Sequence, residues 1–232
     1  TMLLKLAASE EKSIREGAIR SFRGTEIVKE IYHTLTKLKA IHPDSQPLID
    51  AVIDPASTLK NRPAADDLQS WNRLLSSSPG PANVEEGRRI FTHSAVANCS
   101  KCHLHSGRGN HLGPDLSSLW RSANPKHILT SVLQPSLHID PQYKARTLLL
   151  DDGTTFNGIL LRDGGGGREV YRNLEGKEEI VKTDDIVERK ESASSLMPEG
   201  LLDQLTNREI KDLLAFISWP SSIESSEGNS EE

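Results

Sequence analysis

The chain has 232 residues and a formal net charge of −5, with 35% hydrophobic and 26% charged residues, an ordinary composition for a globular protein. Its negative charge carries no basic stripe, which argues against nucleic-acid binding and permits a basic redox partner. No apolar run is long enough to span a bilayer, so no transmembrane segment is predicted. The length allows more than one hydrophobic core.

Residues 1–75 predict a helical segment. Ser9 is a good N-cap, and apolar residues recur at helical spacing after it. A second stripe of apolar residues predicts another helix, formed by Ile27, Ile31, Leu35 and Leu38. The stretch 13–18 resembles the second helix of a HEAT-like repeat, so we interpret the segment as the end of a HEAT-like repeat region. A linker containing serine, proline and glycine follows at 76–82.

Two capping-box patterns predict two further helices. Asn83 begins the first, which carries Gly87 and Phe91 four residues apart. Thr206 begins the second, and Pro220 ends it.

Both cysteines of the chain lie in the pentapeptide Cys99-Ser100-Lys101-Cys102-His103. The C-x-x-C-H spacing is that of covalent c-type haem attachment. Two thioether bonds need two thiols on one turn of backbone, and the histidine that follows can bind the iron as its proximal ligand. The motif therefore predicts one haem c site.

Three other interpretations of the motif stay open: a disulfide or redox-active pair, a zinc site, and a chance occurrence of the motif with no role. A redox-active C-x-x-C usually follows a buried strand, and the residues before Cys99 lack a strand pattern. A zinc site could combine Cys99 and Cys102 with two of His103, His105 and His111. Structural zinc motifs usually place their second ligand pair further along the chain, so the cluster fits zinc poorly.

A strand-rich segment follows the motif, at about 143–192. Asp152-Gly153 is a strong hairpin signal, and Gly158 marks a candidate bulge. Five short strands are predicted, enough for a small barrel or curled sheet, at 145–150, 154–161, 169–171, 179–181 and 186–187.

With these residues in view, the stretch from about Asn83 to Pro220 resembles a class I cytochrome c. The resemblance implies that the helix with Gly87 crosses the helix with Leu213 and Phe216. It also implies roles for the cofactor-binding residues that follow the motif. The Pro114 carbonyl would accept a hydrogen bond from His103. Trp120 and Arg121 would lie at the haem, with Arg121 facing a propionate. Met197 would be the distal iron ligand.

The order of these motifs closely resembles that in a haem-binding domain family of planctomycetes and verrucomicrobia. In that family the domain commonly lies at the C-terminal end of large secreted proteins. We therefore expect a mainly α cytochrome c fold with an inserted small β-sheet or barrel, preceded by the HEAT-like α-helical segment. The cytochrome domain would cover 83–220, with the insert at about 143–192. The tail at 221–232 is rich in serine and glutamate and is expected to be disordered.

The expected function is one-electron transfer by a carrier that is not itself an enzyme, with histidine and methionine on the iron. A fused or partner dehydrogenase would supply the electrons. Haem attachment at C-x-x-C-H takes place outside the bacterial cytoplasm, so we expect a periplasmic or otherwise exported protein, although the chain begins without a signal peptide. Two alternatives are an open-site haem sensor or peroxidase and a zinc-stabilised interaction module. A homodimer through exposed strands of the insert is physically plausible.

Overall fold

A computed structural model describes residues 2–93, 95, 97–122 and 124–220, except for the side chain of His93. The chain divides into two compact units. Of the described residues, the first unit comprises those up to Asn98 together with Gly200–Phe216, and the second comprises those of Cys99–Glu199 together with 217–220. The tail expected at 221–232 lies outside the described residues.

The first unit is helical. Its elements are α1 (Met2–Ala7), α2 (Lys12–Arg20), α3 (Lys29–Ile41), α4 (Gln46–Ile53), α5 (Leu68–Ser77), α6 (Val84–His93) and most of α8 (Asn207–Ile217). Helices α1 to α4 form one apolar core, in which Ile19, Leu35 and Ile49 are fully buried. These are the residues that the helical spacing brings to one face of each helix.

A buried charge network joins α2 and the residues after it to α6 and α8 within this unit. The Arg23 guanidinium donates two hydrogen bonds to Glu209, at 2.9 and 2.6 Å. Arg20 donates to Glu209 at 2.8 Å and to Glu86 at 2.6 Å. Burial alone would raise the pKa of Glu209, but Arg23 and Arg20 outweigh it and hold the pKa below its usual value.

The second unit contains a five-stranded antiparallel sheet. Its strands are β3 (Ala145–Leu150), β4 (Thr155–Asp163), β5 (Arg168–Asn173), β6 (Glu178–Lys182) and β7 (Ile186–Glu191), in the order β6-β5-β4-β3-β7. Arg189 on β7 nevertheless donates to Glu169 on β5 at 2.8 Å. Since β5 and β7 are not neighbours in the sheet, this contact shows that the sheet curls. The unit also holds α7 (Pro125–Leu133) and a small hairpin, β1 (Leu104–His105) with β2 (Arg108–Gly109).

The expected mainly α cytochrome c fold, with an inserted sheet and a preceding HEAT-like segment, is wrong. The described residues contain eight α-helices, a five-stranded antiparallel sheet and a two-stranded sheet, so the chain combines α and β structure. The sheet has its own apolar core, formed around Leu148 and Tyr171, and is the body of the second unit. Helices α6 and α8 meanwhile share a unit with the N-terminal helices, and Arg20 and Arg23 pair with their carboxylates there.

None of the helices within the described ranges is long and apolar enough to cross a membrane.

Candidate functional site

The C-x-x-C-H motif forms a single turn at the start of the second unit. A 3₁₀ turn spans Cys99–Lys101, and the amides of Cys102 and His103 both donate to the Cys99 carbonyl, at 3.1 and 2.9 Å. Side chains three and four residues apart share one face of such a turn. Both cysteines are free thiols. The turn therefore presents two thiols and one imidazole together.

Burial keeps the two thiols protonated. It raises the pKa of Cys99 to about 12, and it raises the pKa of Cys102 although Lys101 acts in the opposite direction. Redox-active cysteines have a lowered pKa, because the thiolate is the reactive form. The site therefore lacks the lowered thiol pKa that is typical of a disulfide-exchange centre.

The imidazole of His103 is held in one orientation. Its Nδ1 lies 2.9 Å from the carbonyl oxygen of Pro114. A carbonyl oxygen can only accept a hydrogen bond, so Nδ1 carries the proton and Nε2 keeps its lone pair. Burial lowers the pKa of His103, although the bond to Pro114 acts in the opposite direction. The ring is thus a neutral ligand with Nε2 available to a metal.

Two glycines let the backbone approach His103 closely. A Cβ atom added to Gly113 would lie 2.6 Å from Cε1 of the His103 ring. A Cβ atom added to Gly109, whose φ is +120°, would lie 2.1 Å from the His103 carbonyl oxygen. Contacts this short are not tolerated by a side chain, so both positions require glycine.

Backbone hydrogen bonds fasten the loop after the hairpin on either side of His103. The amide of Gly113 donates to the Cys102 carbonyl at 2.7 Å, and the amide of Leu116 donates to the Leu104 carbonyl at 2.8 Å. The resemblance implied the contact of His103 with Pro114. The close contacts of Gly109 and Gly113 with His103 were not predicted, although glycines within ten residues of the motif were a usable signal.

Trp120 and Arg121 lie beside each other in a 3₁₀ turn, Leu119–Arg121. The Arg121 guanidinium carbon is 5.2 Å from the centre of the Trp120 ring, a cation–π distance. Both side chains are exposed. Their roles at a haem stay predictions.

Met197 lies in the segment after β7. Its amide donates to the Ser195 hydroxyl at 3.1 Å, and the Ser195 amide donates to the Ser136 hydroxyl at 3.1 Å. The Met197 side chain is partly buried. These bonds fasten the segment within the second unit, and the role of Met197 as distal ligand stays a prediction.

The two nearby histidines have different surroundings. His105 is 2% exposed, its Nδ1 lies 2.9 Å from the Ser106 hydroxyl, and burial lowers its pKa. His111 is exposed, and its carbonyl accepts a hydrogen bond from Arg172. Within the described part of the chain, no three histidine, cysteine or acidic side chains come together as a metal site.

The donor set of the motif suits a c-type haem. Two thiols and a neutral imidazole lie on one turn, and the imidazole presents Nε2 because Pro114 binds its Nδ1. Ligating histidines usually donate their other ring N–H to such a carbonyl, which fixes tautomer and ring orientation.

Comparison of the chain with models of protein families gives no match, and comparison with curated proteins gives none either.

Proposed function

We propose that the chain carries one haem, attached covalently to Cys99 and Cys102 with His103 as the proximal iron ligand, and that it transfers single electrons. The observation that carries the proposal is the 2.9 Å contact between His103 Nδ1 and the Pro114 carbonyl. It gives the histidine of a C-x-x-C-H motif the tautomer that iron ligation needs.

The residues around the motif would divide the work of binding. The two thiols would hold the cofactor, and Gly113 would keep the imidazole ring close to the backbone. Arg121, a cation on an exposed turn, would pair with a propionate. A bound haem would supply a one-electron couple.

Met197 is our proposed distal ligand. A thioether in this position leaves no place for a substrate and raises the reduction potential. The chain would then act as a carrier, receiving electrons from a fused or partner dehydrogenase. Since this haem attachment takes place outside the bacterial cytoplasm, we propose that the protein is exported.

The visible spectrum of the haem-loaded protein tests the proposal, measured in both oxidation states. We expect a low-spin spectrum in which the ferrous form does not bind carbon monoxide. Met197→Ala should give a high-spin form that binds carbon monoxide. Met2→Ala is the matched control, because Met2 is 78% exposed, and it should leave the spectrum unchanged.

Two results would overturn the carrier function. A carbon-monoxide-sensitive ferrous form in the unmutated protein would indicate an open-site sensor or peroxidase. Stoichiometric zinc without a haem absorption band would indicate a structural module.

A further inference from the structure

The curled sheet reaches the loop that orients His103. Arg172 on β5 donates a hydrogen bond from Nη1 to the carbonyl oxygen of His111. The same guanidinium lies 3.7 Å from Glu178 on the neighbouring strand, and the Arg172 side chain is 21% exposed. One arginine thus connects a hydrogen-bonded strand pair with the loop.

A second contact joins the same two parts of the unit. Gly176, in the turn between β5 and β6, has a φ of +84°, and a Cβ atom added to it would lie 2.8 Å from the amide atoms of Asn110. The Asn110 side chain accepts a hydrogen bond from the His111 amide at 2.8 Å. The sheet therefore contacts the loop at two consecutive residues, through a side chain and through a turn.

Only two residues separate His111 from Pro114. Between them, Gly113 is fixed to the motif by its bond to the Cys102 carbonyl. The segment that leads into Pro114 is therefore fastened to the sheet at His111 and to the motif at Gly113. A carbonyl must be held in place to select one tautomer of a histidine.

We propose that Arg172 is a positioning residue for His103, acting through the His111 carbonyl and the loop to Pro114. The sheet then has a role in the site, because it sets the orientation of the His103 imidazole without contributing a residue to the motif. The importance of this link for electron transfer rests on the proposed haem function. The link itself concerns protein groups alone.

The test uses ¹⁵N NMR of the full chain without haem, at a pH where His103 is neutral. The nitrogen shifts of a neutral imidazole report which ring nitrogen carries the proton. We expect the Nδ1–H tautomer of His103 in the unmutated protein. Arg172→Met keeps most of the side-chain volume but removes the donors, so it should mix the two tautomers and speed amide exchange at Gly113 by about 5- to 10-fold, as for one lost hydrogen bond.

Two variants separate positioning from general stability. Arg162, on β4, also pairs with Glu178, at 3.0 Å, and its side chain is 57% exposed. Arg162→Met should therefore leave His103 and Gly113 unchanged. Arg172→Lys keeps a donor for the His111 carbonyl and should restore the single tautomer.

The inference is overturned if Arg172→Met retains the single Nδ1–H tautomer and the original exchange rate at Gly113. It is also overturned if Arg162→Met has the same effect as Arg172→Met, because the cause would then be the sheet's general stability. Neither result depends on haem, so failure of this link and failure of the haem proposal are distinguishable.

Discussion

Gly87 on α6 lies directly against the backbone of Asp212 on α8. A Cβ atom added to Gly87 would be 2.0 Å from the Asp212 carbonyl oxygen and 2.8 Å from the Phe216 Cβ atom. Phe91 and Phe216 fill the same crossing, with ring centres 5.4 Å apart. The contact between α6 and α8 therefore depends on the absence of a side chain at position 87.

Gly87→Ala should destabilise the first unit. The methyl group has no space and would push α8 away, at a cost of roughly 1–3 kcal/mol in the free energy of unfolding. Urea unfolding followed by fluorescence of Trp71, which is buried in the same unit, measures the change. Gly17→Ala is the control, because nothing lies within 4 Å of a Cβ atom there, and it should stabilise α2 by about 1 kcal/mol. Equal effects of the two variants would contradict this description of the crossing.

Glu209→Gln should be among the most destabilising polar substitutions. Glu209 is 1% exposed and binds both Arg20 and Arg23, so its neutralisation removes the carboxylate that pairs with the buried Arg23 guanidinium, whereas Arg20 keeps Glu86. Breaking a buried pair in this way costs about 3–5 kcal/mol. The same urea titration measures it, and Glu85→Gln, at the exposed pair with Arg88 in the same unit, should cost at most about 1 kcal/mol. A small effect at Glu209 would show that the network contributes little.

The sequence predicts local features of the chain better than contacts between residues that are far apart in the sequence. The turn of Cys99 to His103 follows from a short motif, and the crossing at Gly87 was implied by the family resemblance. The five strands also lie close to their predicted positions, since runs rich in leucine and β-branched residues and the Asp152-Gly153 turn specify them locally. The irregularity in β4 lies between Leu160 and Arg162, however, and not at Gly158, which is packed against the Arg172 carbonyl.

The incorrect fold class has a physical cause. The pairing of Arg23 with Glu209 spans 186 residues, and no local periodicity indicates it. Helical spacing identifies each helix but does not show which helices share a core, so the N-terminal helices were separated from α6 and α8. The contact of Arg172 with His111 was inaccessible for the same reason, since it depends on how the sheet curls.

The thiols of the haem-free chain should react slowly with an alkylating reagent. Burial raises the pKa of Cys99 to about 12 and raises that of Cys102, so little thiolate is present at pH 8. We expect alkylation of the folded chain at least about 10-fold slower than in denaturant. Mass spectrometry of timed samples measures both rates. Faster alkylation in the folded chain would instead support a redox-active C-x-x-C.

The haem-free chain should lose stability as the pH falls below the normal histidine value of 6.5. The pKa values of His103 and His105 are lowered by burial, so the unfolded chain takes up protons first. The contribution of the two neutral histidines to the free energy of unfolding is then complete above pH 6.5. It is lost as the pH falls toward their pKa values in the folded chain. Thermal unfolding between pH 7.5 and 5.5 measures the slope. His105→Gln should reduce this slope, and an equal slope in the variant and the unmutated chain would refute the assignment.

Covalent haem attachment is the most direct test of the central claim. The full chain would be produced in bacteria that export it and assemble c-type cytochromes, then denatured and weighed by mass spectrometry. We expect the unmutated chain to gain the mass of one haem, and we expect this gain to survive denaturation. The Cys99→Ser/Cys102→Ser variant should lose the added mass, whereas Met197→Ala should retain it. An unmodified mass for the unmutated chain under conditions in which a known c-type cytochrome is matured would contradict the central claim.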